Sequence, residues 1–102
     1  MPFLAATRTG LRIHLRTETK IGRASTNHLR ISAPEVSNEH ALIRWRGERW
    51  EIQDLHSSNG TLVNDDKLAP GVWTTIEEGD RLAFGHLQIA YDFEEAGPPQ
   101  AG

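Results

Sequence analysis

The sequence predicts an all-β protein, a sandwich or barrel of short antiparallel strands. Runs in which apolar and polar side chains alternate with period 2 recur along the chain. Clusters of Gly, Pro, Asn, Asp and Ser separate these runs at spacings of about 8–12 residues. No segment shows a helical period with caps that competes with this reading.

The elements follow in order. Leu11, Ile13 and Leu15 alternate with Arg12, His14 and Arg16 as a half-buried strand should. A second strand at about 18–22 runs into Gly22-Arg23, and Ala24-Ser25-Thr26-Asn27 reads as a loop. Leu29 and Ile31 alternate again before Ser32-Ala33-Pro34-Glu35, where Pro34 breaks regular structure. Ser37-Asn38-Glu39-His40 leads into Ala41, Ile43 and Trp45, opposite Leu42 and Arg44. Residues 40–46 and 49–53 then form a hairpin about Arg46-Gly47-Glu48-Arg49.

After Trp50 and Ile52 comes the densest polar stretch, Asp54-Leu55-His56-Ser57-Ser58-Asn59-Gly60. Asn-Gly tolerates positive φ and is a strong hairpin signal. This connection is longer than a hairpin needs, and its surplus residues are nearly all hydrogen-bonding groups. Such loops on a rigid sheet are where binding concentrates. Asp65-Asp66 reads as a turn between Leu62-Val63 and Lys67-Leu68, and Pro70-Gly71 and Glu77-Glu78-Gly79-Asp80 as further turns. Residues 81–84 and 87–93 are expected to pair across Gly85-His86. Trp45, Trp50, Leu42, Ile43, Leu82 and Phe84 read as core or sheet-face residues, and Trp73 as a partly exposed edge residue. Residues 1–95 form one domain, and 96–102 a disordered tail or linker stub without a core-forming residue.

Composition bounds the function. The chain has 102 residues, enough for one core, with 37% hydrophobic residues. A net charge of −3 argues against a nucleic-acid surface, which rests on Lys and Arg neutralising phosphates. There is no cysteine, hence no disulfide, thiolate nucleophile or Cys-based zinc site. No run reaches transmembrane length, and Met1-Pro2-Phe3-Leu4-Ala5-Ala6 lacks the features of a signal peptide. A soluble, cytoplasmic protein is the expectation, monomeric in isolation, with no membrane partner and no cofactor. His14, His28, His40, His56 and His86 lack short ligand spacing, so a metal site is not expected. Ser37, His40 and Asp54 are triad residue types, but nothing supplies a nucleophile elbow or oxyanion hole. No catalytic residue is assigned.

Taken together, Gly22-Arg23 with Asn27, Ser37-x-x-His40 fourteen residues after that Arg, Ser57-Ser58-Asn59-Gly60-Thr61-x-Val63-Asn64, Gly79-Asp80 and Phe84-Gly85 form an ordered set. The set resembles the forkhead-associated (FHA) domain over about residues 3–93. The resemblance implies an eleven-stranded antiparallel β-sandwich whose loops at one end bind phosphothreonine peptides. It implies that Arg23 contacts the phosphate and that Ser37 and Ser58 donate hydroxyls to it. Asn38 would hold the phosphoresidue through its backbone N–H, and Asn59 would grip the peptide main chain. Gly22, His40, Gly60 and Thr61 would support the site. Ser58 and Asn38 stand where Thr and Arg are common in the family; the hydroxyl is kept.

The residue types suit this chemistry. A phosphothreonine carries roughly −1.5 to −2 charges and three strong acceptors. Arg presents a planar fork of permanently charged donors, and hydroxyls saturate the remaining lone pairs. Roughly micromolar affinity is expected from so small an interface. The resemblance also implies a preference for phosphothreonine over phosphoserine, because the γ-methyl packs, a burial worth about 0.8 kcal/mol. Glu35 is the candidate for selecting the side chain three places after the phosphothreonine, disfavouring an acidic one. The reading is a recruitment module for a phosphothreonine-bearing kinase substrate in signalling. Its rival is an FHA fold that binds partners, or its own copies, independently of phosphorylation. Retention of Arg23, Ser37 and Ser58 distinguishes the two.

Overall fold

The computed structural model of the chain describes residues 1–99. Eleven strands run in order: β1 (Phe3–Ala6), β2 (Arg12–His14), β3 (Glu18–Gly22), β4 (Leu29–Arg30), β5 (Ala41–Trp45), β6 (Trp50–Asp54), β7 (Thr61–Val63), β8 (Asp66–Lys67), β9 (Thr74–Ile76), β10 (Arg81–Phe84) and β11 (Ala90–Glu94). They form two sheets, ordered β2-β1-β11-β10-β7-β8 and β4-β3-β5-β6-β9. Among the described residues no helix is long and apolar enough to cross a membrane.

The inner faces carry the alternating apolar residues. Leu4, Ile21, Ile43, Ile52, Leu82, Phe84 and Phe93 are fully buried, and Trp50 is nearly so. Each such side chain contributes about 1.5–3 kcal/mol through its burial. The Trp50 ring meets Phe93 edge-on at 6.1 Å between centroids and Trp45 at 5.4 Å. Trp73 lies between β8 and β9, partly exposed, with the Arg44 guanidinium carbon 3.6 Å above its ring centroid.

Several elements differ from the sequence expectation. β1, an apolar run without alternation, is an inner strand between β2 and β11. β2 is shorter than expected and lies at a sheet edge, which leaves Leu11 outside the core. The pair β3–β4 departs from the antiparallel pattern: Ile21 and Gly22 face Leu29 and Arg30 in parallel. The loop at 23–28 returns the chain beside its own strand without reversing it. The β7–β8 turn falls on Asn64-Asp65, both at positive φ, so Asp66 belongs to β8 and pairs with Val63. Two consecutive positive-φ residues match the right-handed twist of a tight hairpin. Asn64 Nδ2 donates to Asp80 Oδ1 at 2.9 Å, and Arg81 N donates to Asn64 Oδ1 at 2.9 Å. The Val63-Asn64 and Gly79-Asp80 motifs thus fasten one turn to the next strand. The β10–β11 connection spans 85–89 rather than two residues, because Gly85 continues the register toward β7, donating its N–H to Gly60 O at 2.9 Å, before the chain turns to β11.

Of the expected tail at 96–102, residues 100–102 lie outside the described residues. Ala96 packs against the core, and Trp50 Nε1 donates to Gly97 O at 2.9 Å.

The pairing pattern brings the ends of β1, β3, β6 and β10 to the same end as the starts of β2, β5, β7 and β11. The connections at 7–11, 23–28, 31–40, 55–60 and 85–89 therefore crowd one end of the sandwich.

Candidate functional site

Ser37 is the junction of the polar loops. Its carbonyl accepts from Arg23 N at 2.9 Å, joining the 23–28 and 31–40 connections. Its Oγ accepts from Ser58 N at 3.0 Å, joining the 55–60 connection. A hydroxyl accepting through a lone pair keeps its proton, so Ser37 Oγ–H remains able to donate.

His40 lies behind this junction, fully buried. Ser37 N donates to His40 Nδ1 at 3.1 Å. A backbone N–H can only donate, so Nδ1 accepts and the ring proton sits on Nε2. Nε2 then donates to Gly60 O at 2.8 Å. Gly60 O thus takes bonds from His40 and from Gly85 N. The ring stands edge-on to Phe84, 5.9 Å between centroids. One neutral imidazole couples two loops, with both nitrogens occupied.

The central loop is braced from beneath by Asp54, which is buried at the end of β6. Its Oδ1 accepts from Ser57 Oγ at 2.5 Å and Thr61 Oγ1 at 2.7 Å, and its Oδ2 from Ser57 N at 3.1 Å. Ser57 Oγ in turn accepts from Gly60 N at 2.9 Å. A carboxylate aimed at nearby backbone and hydroxyl donors fixes a turn of this kind. Gly60 follows at φ +88°, the left-handed region that Gly enters without a Cβ clash. Asp54 and His40 are each committed to other partners, so Ser37, His40 and Asp54 do not form a triad.

The first loop is held by close approach. A Cβ at Gly22 would lie 2.2 Å from Asn38 O and 2.8 Å from Asn27 Nδ2. Asn27 Nδ2 donates to Asn38 O at 2.7 Å and to Ala24 O at 2.8 Å. Asn59 Nδ2 donates to Glu35 O at 2.9 Å, which leaves its Oδ1 open. Arg30 Nε donates to Arg23 O at 3.1 Å.

The structure therefore brings Gly22, Arg23, Ser37, Asn38, Ser58 and Asn59 to one end, with His40, Gly60 and Thr61 beneath them. Arg23, Asn38, Ser58 and Asn59 are exposed, whereas Gly22, His40, Gly60 and Thr61 are buried. Among the described residues the Arg23 guanidinium has no carboxylate partner, and Ser58 Oγ and the Asn38 backbone N–H make no hydrogen bond. Unpaired donors on a bonded frame can close around an anion with little rearrangement. No group of three or more metal-binding side chains occurs among the described residues.

Sequence reading set Asn27 and Ser57 within the polar loops but gave them, and Asp54, no role in holding the site. The signal of Asp54 and Ser57 was present: they stand three apart before Asn59-Gly60, a spacing at which a carboxylate reaches forward over a turn to accept from the following residues. The Asn27 contact, made eleven residues away, had no local signal.

The family model for the FHA domain matches residues 19–85. The chain belongs to the FHA family. It is 38% identical over 69 residues to the FHA domain-containing protein FhaA of Mycobacterium tuberculosis, covering 68% of this chain and 12% of FhaA. Its fold is similar to Mycobacterium tuberculosis EmbR solved in complex with a low-affinity phosphopeptide: TM-score 0.85, 26% identity, covering 98% of this chain and 26% of EmbR. A structure described as phosphothreonine-dependent FHA domain interactions aligns with TM-score 0.80 and 26% identity, covering 95% of this chain and 97% of its own. The chain thus spans a small fraction of the whole proteins FhaA and EmbR.

Proposed function

We propose that this domain reads phosphothreonine on a partner protein and converts a kinase's mark into recruitment. The observation that carries the reading is the convergence on Ser37: Arg23 and Ser58 both bond it through their backbones, while their side chains stand exposed and unpaired. Arg23 supplies the charge-assisted bonds to the phosphate, and Ser37 and Ser58 supply hydroxyl donors. The Asn38 N–H completes the shell, and the open Oδ1 of Asn59 accepts from the peptide main chain. The phosphopeptide-bound state of EmbR supports this reading. A cytoplasmic setting, a monomeric domain, and a kinase substrate rather than a nucleic acid as partner go with it.

The test is one peptide in phosphothreonine, phosphoserine and unmodified forms, measured by calorimetry against wild type and Arg23→Ala. The phosphothreonine form is expected to bind at roughly micromolar Kd. Phosphoserine is expected to bind several-fold more weakly and the unmodified peptide not measurably. Arg23→Ala should lose at least about tenfold, the scale of one charge-assisted bond. Binding that ignores the modification overturns the reading in favour of a phosphorylation-independent adaptor.

Glu35 sets the third position after the phosphothreonine under the same reading. Its carbonyl accepts from Asn59 Nδ2, so residue 35 adjoins the peptide-gripping residue. An acidic peptide residue there is expected to bind worse than a basic one, and Glu35→Arg to reverse the order. A peptide array with unchanged preference in that variant refutes the assignment.

A further inference from the structure

Two connections at the loop end contribute no side chain to the site above: 7–11 between β1 and β2, and 85–89 between β10 and β11. Thr7 N donates to Ala90 O at 3.0 Å, joining the first connection to the start of the strand that the second leads into. A groove of about 250 Å³ lies between them, lined by Arg8, Leu11, Gln88, Ile89 and Tyr91 among others. Leu11 is 65% exposed, and Leu87, on the same connection as Gln88 and Ile89, is 57% exposed. Two leucines left in water beside a concave apolar wall mark a contact surface. Small-molecule sites occupy roughly 300–1,000 Å³, so this groove suits a side chain better than a metabolite.

The 85–89 connection links this groove to the frame of the candidate site. Gly85 opens the 85–89 connection and donates its N–H to Gly60 O at 2.9 Å. A Cβ at Gly85 would lie 2.3 Å from Glu35 O, the carbonyl that also holds Asn59. The strand order β7-β10-β11-β1 places the groove's far wall three strands from Thr61, about 14 Å at normal spacing. Arg23 and Ser37 flank the opposite sheet, about 10 Å away across the sandwich. The combined path is roughly 17 Å, about five residues of extended chain.

We propose that this groove is a second contact for the phosphorylated partner and holds an aliphatic side chain about four to six residues from the phosphothreonine. It rests on the phosphothreonine reading, and it is separate from the third-position selection given to Glu35. A leucine seated there removes its own apolar surface and that of Leu11 from water.

The experiment scans a peptide carrying one phosphothreonine in an alanine–serine background with a single leucine at each flanking position. Binding to isotope-labelled protein is followed by calorimetry and by backbone amide shifts. Leucine in the stated window is expected to tighten binding about tenfold. It should also shift the amides of 7–11 and 88–91 beyond those moved by the unscanned peptide. Leu11→Glu, at an exposed position that carries little folding risk, is expected to abolish the gain and leave the unscanned peptide's affinity unchanged. Binding with shifts confined to 23–40 and 57–60, and no gain at any position, overturns the groove alone. A gain that survives in Leu11→Glu without shifts at 7–11 also overturns it. Failure of every phosphopeptide to shift 23–40 overturns the phosphothreonine reading, and this inference with it.

Discussion

His40 has one proton and two obligations. It must accept from Ser37 N and donate to Gly60 O, and burial leaves no water to substitute. His40→Ala strands the Ser37 N–H and opens a cavity beside Phe84. We expect a loss of about 2–4 kcal/mol of stability, combining an unsatisfied donor with lost packing. Peptide affinity should fall as well, because Ser37 is no longer held beneath Arg23 and Ser58. His40→Phe separates the causes: it keeps an aromatic volume against Phe84 but makes neither bond. Chemical denaturation should show Phe recovering part of the stability, while titration shows peptide binding as weak as in Ala. Wild-type affinity in His40→Phe would mean that packing, not the imidazole bonds, organises the loops.

At the scale of the element, β5 and β6 carry a charged ladder on their outer face. Arg44 pairs with Glu51 across the strands at 3.0 Å, Arg49 reaches Glu51 at 3.2 Å, and Arg44 also covers Trp73. Desolvation pushes the Glu51 carboxyl up, but hydrogen bonds and charge from Arg44 and Arg49 outweigh it and hold it below its ordinary value of 4.5. A group depressed on folding stabilises above its unfolded pKa and loses that contribution as pH falls through its folded one. Denaturation midpoints of wild type are therefore expected to drop more steeply below the value of 4.5 than those of Glu51→Gln. The variant should be weaker at neutral pH and converge with wild type in acid. Parallel curves would show that the ladder is not linked to folding.

The same strands explain what was legible. β3 and β5 carry clear alternation because one face of each is buried and the other is more open to water. β1 was hidden because Phe3, Leu4, Ala5 and Ala6 are apolar throughout, and a four-residue run has no readable period. The β10–β11 boundary was misread because Leu87 looks like a strand residue but sits in a loop whose path is set by Gly60, twenty-five residues before Gly85. The members of the candidate site were legible through their spacing as an ordered set. The bonds that unite them, Asn27 to Asn38 and His40 to Gly60, join distant residues and leave no local trace.

Across the whole molecule the two ends of the sandwich have different work. Asp54 finishes β6 at the loop end, while Trp50 begins the same strand at the other. There the indole is buried, and its Nε1–H donates to Gly97 O; Ala96 N donates to Glu78 Oε1 at 3.1 Å. Ala96 and Gly97 are thus tied to the body at the end remote from the candidate site. Deleting 96–102 leaves the Trp50 donor without its carbonyl and uncovers apolar surface beside it. A net loss of about 1–2 kcal/mol is expected. At roughly 4–8 °C per kcal/mol for a domain of this size, thermal unfolding should show the drop clearly. Phosphopeptide affinity at room temperature should not change, because among the described residues no bond in the loop frame involves 96–99. A parallel loss of affinity would show that the core transmits strain from Trp50 along β6 to Asp54 and the central loop. An unchanged midpoint would show that water satisfies the indole as well as Gly97 does.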